Sequence, residues 1–160
     1  MKARPFATLV AGLLLAGAAH ADQASAIHAE GAWIRVLPAG LPAGGYVTLR
    51  NGSDDAATLT GASSAQYGHV MLHESSTEGG MGRMKAIDRL VIPAHGQVAL
   101  APGGYHLMLM KGADDVHVGS SVPVILQFAD GSKTTVDFLA RPANAVDAGT
   151  AAPSGHDHQG

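Results

Sequence analysis

The sequence predicts an all-β fold, a sandwich or barrel of about ten short strands. Three observations predict it. Stretches such as HVMLHE (69–74) and YHLMLM (105–110) alternate with the period of two that marks a strand. Turn-forming residues punctuate the chain every several positions, with 21 glycines and 8 prolines among 160 residues. No stretch beyond the first 21 residues carries a convincing helical period. An apolar fraction of 46% is enough for one core, and the length suits one domain.

The first 21 residues are set apart from the fold. Lys2 and Arg4 form a positive start, Leu9 to Ala16 is a short apolar run, and Ala19-His20-Ala21 is an A-x-A cleavage site. That is the pattern of a secretory signal, cut after Ala21. The apolar run is too short for a membrane span, which takes about 20 residues. The expected destination is the periplasm, with no membrane span after cleavage. The chain then divides into a signal (1–21), one β-domain (22–140) and a flexible tail (141–160).

Within the domain, Asp22 to Ser25 reads as a polar leader and Ile27 to Val36 as the first strand, carrying Trp33, the only tryptophan. A Pro/Gly loop leads to a strand at Gly44 to Arg50, with Tyr46 and Thr48 on one face and Val47 and Leu49 on the other. Asn51 to Asp55 is a turn cluster before a strand at Ala57 to Ala62. In HVMLHE, His69, Met71 and His73 share one face and Val70 and Leu72 the other. Ser75 to Gly80 reads as a loop. Ile87 to Ile92 and Gln97 to Leu100 are strands around the Pro93–Gly96 turn. Tyr105 to Met110 puts His106, Met108 and Met110 opposite Tyr105, Leu107 and Leu109. Strands at Val122 to Ala129 and Lys133 to Leu139 flank Asp130-Gly131, a two-residue-type hairpin signal. The tail is rich in Ala, Pro and Gly and ends in His156-Asp157-His158. The expected core is Val47, Leu49, Leu59, Val70, Leu72, Leu90, Ile92, Leu107, Leu109, Val124, Leu126, Phe128, Val136 and Phe138.

Composition excludes several functions. A net charge of −3 with no basic run argues against nucleic acid. With no cysteine there is no disulfide framework, thiolate zinc site, iron–sulfur cluster or cysteine-ligated blue-copper site. No nucleophile–base arrangement sits in a recognisable elbow, so an enzyme is not expected.

The informative bias is nine histidines and six methionines. His73, Met84, His106 and Met108 are spaced His-x10-Met-x21-His-x-Met. Soft, neutral thioethers suit Cu(I), and imidazole suits copper generally. Taken singly, a strand Met more often fills a core, and a surface His is usually only solvated. Alternation turns His106 and Met108 away from the core side of Leu107 and Leu109, and His73 away from Leu72. That puts a site on an outer face or an end of the sandwich. Met71, Met81 and Met110 lie within reach, with Met71 and Met110 read as packing. His69, His95 and His117 read as solvent-exposed. His156 and His158 form a short tract able to take Cu(II).

The four-residue spacing resembles, without departure, the copper motif of the periplasmic CuA chaperone (PCuAC) family. AWIRVLPAGLPAGGYVTLRN (32–51), VMLHES (70–75), MGRMKAI (81–87) and LAPGGYHLMLM (100–110) are similar to that family as well. The resemblance covers roughly Ile27 to Leu139. It implies a cupredoxin-like β-sandwich with Greek-key connections, binding one Cu(I) through His73, Met84, His106 and Met108. It also implies a periplasmic chaperone that delivers copper to the copper-site subunit of cytochrome c oxidase, or works with another copper-assembly protein. A storage protein that sequesters copper without an acceptor would use the same site. A monomer is expected. Family tails that add a Cu(II) site are rich in His and Met, whereas this one has two His and no Met.

Overall fold

The computed structural model describes residues 22–38 and 40–147. After a 3-10 turn (Ala24–Ala26) come ten strands: β1 (Ile27–Arg35), β2 (Ala43–Asn51), β3 (Ala57–Ser63), β4 (Tyr67–Glu78), β5 (Met81–Ala86), β6 (Leu90–Ile92), β7 (Gln97–Leu100), β8 (Tyr105–Gly112), β9 (Ser121–Phe128) and β10 (Lys133–Arg141). They form one hydrogen-bonded sheet in the order β5-β4-β8-β2-β1-β10-β9-β3-β6. Besides β1, strand β2 pairs β8 at residues 43–45 and β7 at residues 47–50. Strand β3 packs on β4, and β6 on β2 and β7, without sharing a ladder. The sheet therefore curls over itself into a sandwich around one core, the all-β class that the alternation predicts.

Strand β9 shows why the sequence folds this way. Val122, Val124, Leu126 and Phe128 are at most 1% exposed, while the residues between them face solvent. This period of two is a half-buried strand. All the expected core residues are buried or, for Val70 and Val136, packed against the buried cluster, and Ile27, Ile34, Leu100 and Val122 join them.

Four local expectations change. Ser75 to Gly80 is not a loop, because β4 continues to Glu78 and pairs with β5 down to Glu78 opposite Met81. Gly79 and Gly80 close that hairpin with φ of 60° and 80°, which glycine adopts without steric cost. Beyond Glu74 the ribbon has left β8, so it has no core to face and no apolar alternation to betray it. The strand expected at Ile87 begins at Leu90. The Asp130-Gly131 connection is a four-residue loop, with Gly131 at φ 84°.

The polar leader, finally, is part of the fold. Ala24 is 6% exposed. The Gln23 amide donates to the Asp130 carboxylate (2.7 Å) and the Ala24 amide to the Ser132 hydroxyl (2.9 Å). The Gln23 hydrogen bond, then that of the Ser132 hydroxyl, holds the Asp130 carboxyl below its ordinary range. At the other end, Arg35 Nε donates to the Ala145 carbonyl (3.0 Å), which lays the start of the tail beside β1. The signal (1–21), the cleavage site and His156 and His158 lie outside the described residues. Among the described residues, no helix is long and apolar enough to cross a membrane.

Candidate metal centre

The antiparallel ladder between β4 and β8 sorts side chains into two faces. Leu72 opposes Leu107 and Val70 opposes Leu109, and these rungs point into the core. The alternate rungs, His73–His106, Met71–Met108 and His69–Met110, point the other way. Residues directly opposite in such a ladder share a face, with Cβ atoms about 5 Å apart. On the far side of β4, Met84 of β5 opposes Ser75, two positions along from His73 and on the same face. His73, Met84, His106 and Met108 thus sit on one face of three neighbouring strands.

The two imidazoles face away from the apolar core yet are not open to solvent. His73 is 9% and His106 6% exposed, and their ring centres lie 5.7 Å apart at an interplanar angle of 59°. Metal–nitrogen bonds of about 2 Å, with roughly 1 Å more from nitrogen to ring centre, let one ion bridge rings up to about 6 Å apart. The observed separation meets that condition.

Each ring is prepared differently. His106 Nδ1 lies 3.1 Å from the Gly104 carbonyl. A carbonyl only accepts, so Nδ1 carries the proton and Nε2 keeps its lone pair. This second hydrogen bond is what typically orients a metal-binding histidine. The same carbonyl accepts the Ser75 amide (3.0 Å), which ties His106 to the strand that faces Met84. His73 has both ring nitrogens buried without a hydrogen-bond partner among the described residues. A buried group left unsatisfied costs about 1–3 kcal/mol, and such groups call for a functional reason. Burial first, and the neighbouring His106 second, push the His73 pKa down. The ring is therefore neutral near pH 7, the form that ligates a metal.

The thioethers lie on the same face as the imidazoles. Among the described residues no three His, Cys, Asp or Glu side chains come together. The thioethers that share the face with the two imidazoles suit soft ions such as Cu(I). Met108 is half-buried, and Met84 is 55% exposed on an edge strand whose six residues all face solvent. Met71 and Met110, expected to pack, are half-buried but belong neither to the core cluster nor to the residues packed on it. The leucines fill the core side of β4 and β8 and leave the methionines on the outer side. Met81 opposes Glu78 in the other register of the ribbon, the register of the Lys85–Glu74 (2.9 Å) and Arg83–Glu78 (3.8 Å) ion pairs. His69, His95 and His117 are exposed, with His95 paired to Asp54 at 2.7 Å.

An aromatic wall escapes sequence reasoning. Tyr46 lies 6.5 Å from the His106 ring and 4.5 Å from Trp33. Both aromatics are buried, 7% and 3% exposed, yet stand apart from the main core cluster. The Arg35 guanidinium sits over both, 5.5 Å from Trp33 and 5.4 Å from Tyr46, in a cation–π arrangement. Gly44, opposite Met108, makes room for this wall, since a Cβ there would lie 2.5 Å from the Tyr46 hydroxyl oxygen. The signal available in the sequence was Tyr46 standing opposite the core-facing Val47 and Leu49 in a strand expected to be half-buried.

Comparison with known proteins places the chain in a family and matches its fold to solved structures. The LpqE-like family matches residues 27–140. A Leifsonia xyli subsp. xyli protein carrying the name "Putative lipoprotein Lxx21020" is 33% identical over 115 residues, covering 71% of this chain and 69% of that protein. Among solved structures, the copper-bound PCuAC domain from PmoF2 is 25% identical with a TM-score of 0.62, covering 77% of this chain and 98% of its own. The Cu(I) form of DR1885 from Deinococcus radiodurans is 30% identical with a TM-score of 0.60, covering 82% and 85% respectively. With its ladder of outward His and Met rungs and its match over nearly the whole β-domain, the chain belongs to the LpqE-like family of PCuAC-type domains.

Proposed function

We propose that this protein is an exported copper chaperone that binds one Cu(I) through His73, Met84, His106 and Met108. The observation that carries the reading is the His73–His106 rung, two buried imidazoles 5.7 Å apart, one anchored through Nδ1 and the other without a hydrogen-bond partner among the described residues. Copper in the similar PmoF2 and DR1885 structures supports it. Two neutral imidazoles and two neutral thioethers would leave the ion's own charge uncompensated, which keeps binding reversible. A site without thiolate also escapes disulfide chemistry in an oxidising compartment.

Transfer would proceed by ligand exchange. Met84 is the exposed donor, so an acceptor ligand replaces it first while the buried imidazoles still hold the ion. The acceptor in this reading is the copper-site subunit of cytochrome c oxidase or another copper-assembly protein. The protein would act in the periplasm after cleavage behind Ala21, as a binding protein and not an enzyme. The folded unit would be residues 22–140, and the tail from residue 141 would add a Cu(II) position at His156 and His158.

Competition with a chromophoric Cu(I) chelator tests the reading. Wild type and His156→Ala/His158→Ala should each hold one tight Cu(I), and His106→Ala and Met84→Leu should weaken it. Unchanged binding in both site variants would sink the proposal. Sequestration without an acceptor is the rival reading for the same site. Gene deletion separates the two, since losing a chaperone lowers oxidase activity when copper is scarce, whereas losing a store raises sensitivity when copper is abundant.

A further inference from the structure

The outer face of β4 and β8 continues past the His73–His106 rung, and its remaining soft donors are not used by the four-residue site. Met71 stands opposite Met108, and His69 opposite Met110. Directly opposed residues have Cβ atoms about 5 Å apart and diagonal ones about 7–8 Å, within reach of methionine side chains. His69, Met71 and Met110 therefore surround one patch of the sheet face. It is centred about three residues from His73, roughly 10 Å along the strand. The usual duty of a strand methionine is to fill a core, but among the described residues neither Met71 nor Met110 belongs to the buried apolar cluster or to the residues packed against it. His69 is exposed, and both thioethers are half-buried. One imidazole and two thioethers make a three-donor set for a monovalent d10 ion, the least geometrically demanding of the soft metals.

We propose that His69, Met71 and Met110 form a second Cu(I) position on this ladder. It is weaker than the first because its imidazole is solvated and one donor is missing. Met108, between the two positions on β8, is the nearest soft donor to both. An ion can then pass along the face by exchanging one thioether at a time, with no change in its oxidation state. The second position shares no residue with the four-residue site, so each stands or falls alone.

The test uses the full chain with His156→Ala/His158→Ala, methionine methyls labelled with 13C, and Ag(I) as a redox-inert probe. In the first equivalent the Met84 and Met108 methyls should shift; in the second, those of Met71 and Met110. The triple variant His69→Ala/Met71→Leu/Met110→Leu should keep the first event and lose the second. His69→Ala alone, at an exposed position, should weaken the second event without touching the fold. In a Met84→Leu/His106→Ala background the Met71 and Met110 shifts should persist. The proposal is overturned if Met71 and Met110 stay unmoved through two equivalents. Shifts of these two together with Met84 and Met108 in the first equivalent would also overturn it, as would equal uptake by wild type and the triple variant. Failure of the four-residue site shows separately, as unmoved Met84 and Met108 methyls.

Discussion

Strands β4 and β8 carry two faces built from alternate residues of the same ladder, and the two obey different rules. On the inner face Leu72, Leu107 and Leu109 are at most 4% exposed and join a continuous apolar cluster. On the outer face the imidazoles are buried as well, but beside Tyr46 and each other, and one ring lacks a hydrogen-bond partner among the described residues. Equal burial therefore means different things. The leucines gain about 25 cal/mol for each square ångström removed from water. His73 loses hydration without a protein partner in return, which stability alone does not explain. The comparison shows that a residue's fractional exposure does not separate core from site; what its polar atoms find there does.

Four experiments break or sharpen this contrast. The largest effect on folding belongs to the inner face. Leu107→Ala should lower unfolding stability by about 2–5 kcal/mol in urea titrations, because it leaves a cavity in a packed core. The four proposed ligands would be left in place, so saturating Cu(I) should recover part of the loss. If Leu107→Ala cost no more than His106→Ala in the metal-free protein, the division of labour would be wrong.

On the outer face the order reverses. His106→Ala should weaken Cu(I) by more than the ~10–100-fold typical of losing a ligand's outer-shell support, read by chelator competition. Met84→Leu comes next. Its effect on copper should be near the lower end of that range, about tenfold, and its effect on stability within about 0.5 kcal/mol, as for other exposed positions. A large change in unfolding midpoint for Met84→Leu would show that β5 is structural and not a donor strand.

The smallest effect is a pH dependence. The folded-state pKa of His73 is depressed by burial and then by His106. The unfolded chain therefore binds a proton more readily than the folded one. Protonation therefore favours the unfolded chain, a penalty absent well above about pH 6.5, the unfolded value, and growing as pH falls below it. Thermal unfolding of the metal-free protein should show a lower Tm at pH 5 than at pH 7.5. His73→Leu should reduce the difference, and an unchanged slope would mean that the ring is solvated in solution.

The legibility of the molecule followed the same division. Residues 122 to 128 were readable because β9 has one face on the core and one in water, and its pattern depends on nothing else. The projecting part of the β4–β5 ribbon was not, because a two-stranded ribbon beyond the sandwich has no buried face to write into its sequence. The same holds for Trp33 and Tyr46, whose burial depends on β1 lying beside β2 and on Gly44 leaving space for the phenol.

The sequence by itself determined the all-β class, the inward leucines, and the outward turn of the His73, His106 and Met108 side chains, since alternation is a local property. Only the tertiary structure decided that the 73 and 106 rings form one rung, that Gly104 fixes the tautomer of one while the other has no hydrogen-bond partner among the described residues, and that Met71 and Met110 stand outside the core. Those facts depend on strand register and on which strands become neighbours. Register is set by the whole set of buried contacts across the sheet, and no single stretch of the chain encodes it.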